Sequence, residues 1–112
     1  MNPEAAVQRQ LEAYNARHLE RFLAEFTDDV QVFRLPGAAP VMSGKVALAE
    51  YYAAHRFNLP NLHAEVVNRM VLGNKVVDHE RISGVKDQPF EAAAVYEVID
   101  GRIRTIWFFN AD

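Results

Sequence analysis

Cysteine is missing from all 112 residues, which excludes disulfides, thiolate nucleophiles and cysteine-based zinc or iron–sulfur sites. No apolar run approaches membrane-spanning length, and the opening Asn2-Pro3-Glu4 is not that of a secretory leader, so a cytoplasmic protein without a membrane partner is expected. Positive charge is in deficit. Twelve Lys and Arg against 15 Asp and Glu give a net charge of −3 and a pI near 5.8, which removes the electrostatic case for nucleic acid. There is no Gly-rich phosphate loop and no G-x-S-x-G elbow. The four histidines include no pair at ligand spacing, and no aspartate-glycine loop suggests calcium, so neither metal nor cofactor is expected. Repeats, low-complexity tracts and linkers are also lacking. What remains is one domain over residues 1–112, with half its residues hydrophobic and enough of them for a single core.

The chain is organised around residues 90–110, where two β-rich runs flank Asp100-Gly101, a two-residue signal for a type I′ hairpin. Regular pairing outward from that turn matches Val98 with Ile103, Glu97 with Arg104, Tyr96 with Thr105, Val95 with Ile106 and Ala94 with Trp107. Both faces are apolar at the far end, so each must be covered. Upstream, Asn2 and Pro3 start a helix with Val7, Leu11 and Tyr14 on one face. The pattern pauses at residues 15–18 and resumes as a shorter helix carrying Leu19, Phe22, Leu23 and Phe26, ended by Thr27-Asp28-Asp29. Residues 30–35 alternate as a strand, with Val30, Val32 and Arg34 on one side and Phe33 on the other. Val41-Met42 returns beside it. Ser43 is placed to cap a third helix through Arg56, whose apolar stripe is Leu48, Tyr51, Tyr52 and His55. Residues 62–72 and 75–85 form a second hairpin across Gly73-Asn74, leading into the first. Helices gathered on one side of an antiparallel sheet make an α+β architecture.

The runs LEAYNARHLERFLAEFTDDVQVFRLPG, SGKVALAEYYAAH and VYEVIDGRIRTIWFF resemble the nuclear-transport-factor-two-like superfamily, which includes ketosteroid isomerases and SnoaL-like polyketide cyclases. The resemblance implies a cone-shaped, curved sheet wrapped around three helices of the N-terminal half, packed on its concave face. It implies a ligand pocket at the open end and a homodimer through the outer sheet face. Isomerase chemistry needs a carboxylate base with a Tyr and a protonated Asp as donors to the developing enolate oxygen. The resemblance places these roles at Arg34, near Gln10, and at Val95 or Ala94, so all three are vacant. The cyclase acid–base Asp corresponds to Asn110, with Asp112 two residues later. Carried onto the hairpin register, the pocket positions are Val95, Ile106, Phe108 and Asn110, with Tyr96, Thr105, Trp107 and Ile103 left for the outer face.

Among the polar residues, Arg34 reads either as holding an anionic or carbonyl-bearing ligand or as a rim arginine with its stem on apolar surface. His79 and Glu80 are the acid–base candidates. His79 is the one histidine within a strand flanked by apolar residues, although Asp78 and Glu80 point to the opposite face and cannot orient its ring. A polar ladder on the dimer face is its other reading. His55, Tyr14, Tyr51 and Tyr52 read as core or pocket wall. Three functions stand open: a cofactor-free isomerase, cyclase or hydrolase-like enzyme on a small, largely apolar substrate; a non-catalytic ligand binder; and a homodimeric interaction domain whose pocket is filled by Phe33, Tyr51 and Phe108.

Overall fold

The computed structural model describes residues 2–111. Helix α1, Pro3–Asn15, begins where expected: the Glu4 amide donates to Asn2 Oδ1 at 3.0 Å, and Pro3 occupies the first turn. It ends as Arg17 takes a φ of +54° and the His18 amide turns back to the Ala13 carbonyl. His18 then caps α2, Leu19–Leu23, its Nδ1 accepting from the Arg21 amide. This second helix is shorter than its apolar pattern suggests. Phe26 is drawn instead into strand β1, Phe26–Arg34, by pairing with Ile103, whose amide donates to the Glu25 carbonyl.

Strand β2 is Pro40–Ser43 and helix α3 is Lys45–His55. Ser43 does not cap α3. It pairs with Gln31 in the sheet, and Gly44, with φ of +91° and its amide on the Val30 carbonyl, makes the turn into the helix. Strands β3 (His63–Leu72), β4 (Lys75–Ser83), β5 (Phe90–Ile99) and β6 (Arg102–Asn110) follow as a meander.

The six strands form a curved, unclosed sheet in the order β2-β1-β6-β5-β4-β3. Every pair is antiparallel except β1 with β6, which is parallel and brings the first strand alongside the last. Helix α1 packs on the inner face against β3 to β6. Under it lies a core in which Val7, Phe22, Phe26, Val30, Val32, Leu48, Val76 and Ile103 are all 1 % exposed or less. The architecture is the expected α+β cone.

The hairpin register differs from regular pairing. Asp100 and Gly101 both take positive φ, as a type I′ turn requires, and Val98 pairs with Ile103. The next pair is Glu97 with Thr105, so Arg104 is an extra residue on β6 and the ladder slips by one. Beyond the bulge Tyr96 pairs with Ile106, Val95 with Trp107, Ala94 with Phe108 and Ala92 with Asn110. Val95 therefore turns outward with Trp107, while Tyr96 and Ile103 turn inward. The expected Glu97–Arg104 pair is replaced: Glu97 Oε1 accepts from the Thr105 hydroxyl at 2.9 Å, and its Oε2 lies 3.6 Å from Lys75 Nζ.

Candidate functional site

Reading across the strands at matched positions, the inner face carries side chains in rows. One row runs Val66, Glu80, Ala92, Asn110; the next runs Arg69, Asp78, Ala94, Phe108, Arg34. A third runs Val71, Val76, Tyr96, Ile106, Val32, Met42. In the middle of the first two rows Ala92 and Ala94 present only methyl groups, so the sheet floor is low there. A cavity of about 280 Å³ opens above them, just below the range of about 300–1,000 Å³ typical of ligand pockets.

The opposite wall is aromatic. Tyr14 of α1 and Tyr52 of α3 meet edge to face at 6.2 Å, and Phe22 packs on Tyr52 at 4.8 Å. All four tyrosines of the chain, Tyr14, Tyr51, Tyr52 and Tyr96, line this one cavity. The cavity also settles the third sequence reading against Phe33 as a filler: that ring points outward and stacks on Trp107 at 6.1 Å.

Glu80 is the single acidic residue among those described that line the cavity. It is 8 % exposed. Burial, reinforced by the negative charge of Asp78, pushes its carboxyl up to about 7, against the smaller opposing effects of the Tyr96 hydrogen bond and the Arg69 charge. The Tyr96 hydroxyl donates to Glu80 Oε2 at 3.3 Å and accepts from Gln10 Nε2 at 3.3 Å. That relay occupies one carboxyl oxygen. Glu80 Oε1 makes no hydrogen bond among the described residues. Burial pushes the Tyr96, Tyr52 and Tyr14 hydroxyls upward, Tyr14 to about 12, so all three stay protonated donors over the working pH range. The arrangement offers a carboxyl able to gain and lose a proton near neutrality, surrounded by neutral hydroxyls and apolar wall.

Asp78, two residues before Glu80 on the same face, is fully buried but held by another partner. Arg69 donates to it in bidentate fashion, from Nε at 2.7 Å and from Nη2 at 2.9 Å. The same guanidinium reaches Gln8 Oε1 at 2.9 Å and Glu4 Oε2 at 3.5 Å, tying α1 to the sheet.

Of the residues singled out from sequence, Tyr14, Arg34, Tyr51, Glu80, Ile106, Phe108 and Asn110 line the cavity. Three do not. Val95 faces out because of the Arg104 bulge. His55 sits on the exposed last turn of α3, its ring against Tyr51. His79 lies on the outer face opposite Ala93, exposed and bonded to Glu91, so it cannot reach a cavity ligand. Asp112 lies outside the described residues.

Tyr52, read as core or pocket wall, also lines the cavity, whereas Arg56, Lys86 and Tyr96 are lining residues that sequence reasoning missed. For Tyr96 a signal existed: Ile103 and Ile106 are apolar at an odd spacing that unbroken alternation cannot bury on one face. Of the positions that the resemblance assigns to an isomerase's donors and base, Gln10, Ala94 and Arg34 line the cavity and Val95 does not, and none of them is an acid. Among the described residues no three His, Asp or Glu side chains gather as a metal site, and no helix is long and apolar enough to cross a membrane.

Known structures share this architecture. An uncharacterised cystatin-fold protein from Novosphingobium aromaticivorans is 24 % identical, with a TM-score of 0.86 over 96 % of this chain and 97 % of its own. A structure described as a putative ketosteroid isomerase from Kribbella flavida is 16 % identical, with a TM-score of 0.85 over 98 % and 78 %. An LEH-like epoxide hydrolase of Mycobacterium tuberculosis is 17 % identical, with a TM-score of 0.79 over 96 % and 81 %. No curated protein matches the sequence. At these identities the likeness establishes fold alone. The SnoaL-like domain pattern itself matches residues 7–106, nearly the whole chain, and the chain therefore belongs to the SnoaL-like domain family.

Proposed function

We propose that the cavity is the active site of a cofactor-free enzyme in which Glu80 transfers a proton to and from a small, largely apolar substrate. The observation that carries this reading is the Glu80 carboxyl itself, buried on the cavity floor, raised to about 7 and gripped through one oxygen by Tyr96. In the ionised form its Oε1 would take a proton from a carbon acid or from a water. The neutral tyrosine hydroxyls would hold the oxygen on which charge develops. Gln10 fixes the Tyr96 hydroxyl, which in turn orients the carboxylate.

The test is deuterium uptake from D2O into a panel of one- and two-ring carbonyl compounds, followed by NMR. Because only ionised Glu80 can act as base, the rate is expected to rise about tenfold per pH unit below about 7 and to level off above it. A rate independent of pH between about 5 and 8 would exclude Glu80 as the base. Uptake no faster than in buffer for every compound would leave the second reading, a ligand binder without catalysis. That reading is favoured by Gln10, Arg34 and Ala94, which place no second acid in the cavity.

The outer sheet face supports a homodimer in this proposal. Phe33, Val77, Val95, Trp107 and Phe109 share that face, with Met70 54 % and Phe109 44 % exposed. Paired polar side chains border it, Lys75 with Glu97 and His79 with Glu91, which suits a second copy better than a strongly charged partner. Light scattering at tens of micromolar protein is expected to give a dimer mass. A monomer mass would count against this face as the interface.

A further inference from the structure

The protein is acidic overall, with a net charge of −3, yet its cavity is not. Against the one carboxyl of Glu80 stand three cationic lining residues, Arg34, Arg56 and Lys86. Each lies over a ring that also lines the cavity. Arg34 sits 4.5 Å from the centre of Phe108, Lys86 4.5 Å from Phe90, and Arg56 5.5 Å from Tyr51. Arg56 is further steadied by donation from Nη1 to the His55 carbonyl at 2.8 Å.

None of the three forms an ion pair among the described residues, whereas Arg9, Lys45, Arg69 and Lys75 all do. Their cationic ends come from three separate elements: β1, the end of α3, and the loop before β5. Arg34 and Lys86 are exposed and Arg56 is half-buried, while Glu80 and Tyr96 are buried. The cavity therefore has a polarity along its depth, with cations toward solvent and the carboxyl and hydroxyl within. Held over aromatic rings rather than neutralised by carboxylates, the cations keep their donors available for a ligand.

We propose that the ligand is a carboxylate with an apolar body of one or two rings, its negative group held by Arg34, Arg56 and Lys86 and its far end directed at Glu80. This deepens the reading of the cavity as a small-molecule site and rests on it. The volume sets the size of the body, the low floor over Ala92 and Ala94 receives it, and the cations fix which end faces out. A ligand so oriented presents a ring position, not its own charge, to the inner carboxyl. An apolar body seated against Glu80 excludes water from it and so favours its protonated form, and binding near neutral pH draws a proton from solution.

Calorimetric titration with 2-naphthoate, with the neutral 2-naphthamide and with 2-naphthylmethylammonium tests this directly. The carboxylate is expected to bind at least about tenfold more tightly than the amide, and the ammonium not at all. Arg34→Met and Arg56→Met should each weaken the carboxylate about tenfold and leave the amide unchanged, a difference that loss of packing alone would not produce. Repeating the titration at pH 7 in buffers of different ionisation enthalpy should reveal proton uptake that Glu80→Gln abolishes. Equal or tighter binding of the amide would overturn the anion proposal while leaving the cavity reading standing. Failure of all three probes to bind would overturn both.

Discussion

Glu80→Gln is expected to disable the protein and to stabilise it at the same time. The loss of activity follows from chemistry: an amide cannot accept a proton at neutral pH, and removing a positioned base costs about 10²–10⁴-fold in deuterium uptake. The gain follows from linkage. The Glu80 carboxyl sits near 7 in the folded protein against 4.5 as its ordinary value, so between those values the folded state binds more protons than the unfolded. Stability must then fall as pH rises through that interval. Below about 4.5 the carboxyl is neutral in both states and costs nothing; above about 7 the full cost of a buried carboxylate is present, on the order of 3 kcal/mol. Glutamine keeps the shape and an oxygen for the Tyr96 hydroxyl, so it removes the charge without opening a void. Urea denaturation should show the variant more stable than the natural chain at pH 8 by about 2–3 kcal/mol, with the two converging near pH 4. Parallel stability curves over that range would mean that Glu80 is not held against its burial cost. A destabilising carboxylate retained on the cavity floor fits the general pattern in which functional sites trade stability for chemistry.

The second large effect is expected two residues away. Arg69→Met strips the bidentate partner from Asp78, a carboxylate with no exposed surface, and should cost about 3–5 kcal/mol at neutral pH. Replacing both members is a different experiment. In Arg69→Met with Asp78→Asn no charge is left stranded, and much of the lost stability should return, giving a coupling of several kcal/mol in a double-mutant cycle. Additive losses in the cycle would show that the pair is not the source. Function moves with it. Arg69 holds the Glu80 carboxyl down and Asp78 pushes it up, so the pH at which uptake levels off should rise in Arg69→Met and fall in Asp78→Asn. The ion pair that ties α1 to the sheet thus also sets the poise of the proposed base.

Much of this was legible before any fold was known. Asn2-Pro3 and Asp100-Gly101 carry their own conformational preferences, and the alternation of Val30, Val32 and Arg34 put the arginine on the cavity side. Glu80 emerged as a candidate from the strand that also carries His79. The choice between the two was not legible, since it depends on which face of β4 meets the helices. Arg56 and Lys86 gave no sign of a role because a cation is an ordinary surface residue until an aromatic ring and a cavity are found beside it.

The sequence by itself determined the element order and the two tight hairpins, because turn chemistry and side-chain period act over a few residues. Only the tertiary structure decided that Tyr96 rather than Val95 faces inward, because one extra residue at Arg104 reverses the faces of the strand pair beyond it. It alone decided, too, that Glu80 is the group poised near neutrality. That property comes from burial and from Asp78, Arg69 and Tyr96, which reach it from three different strands.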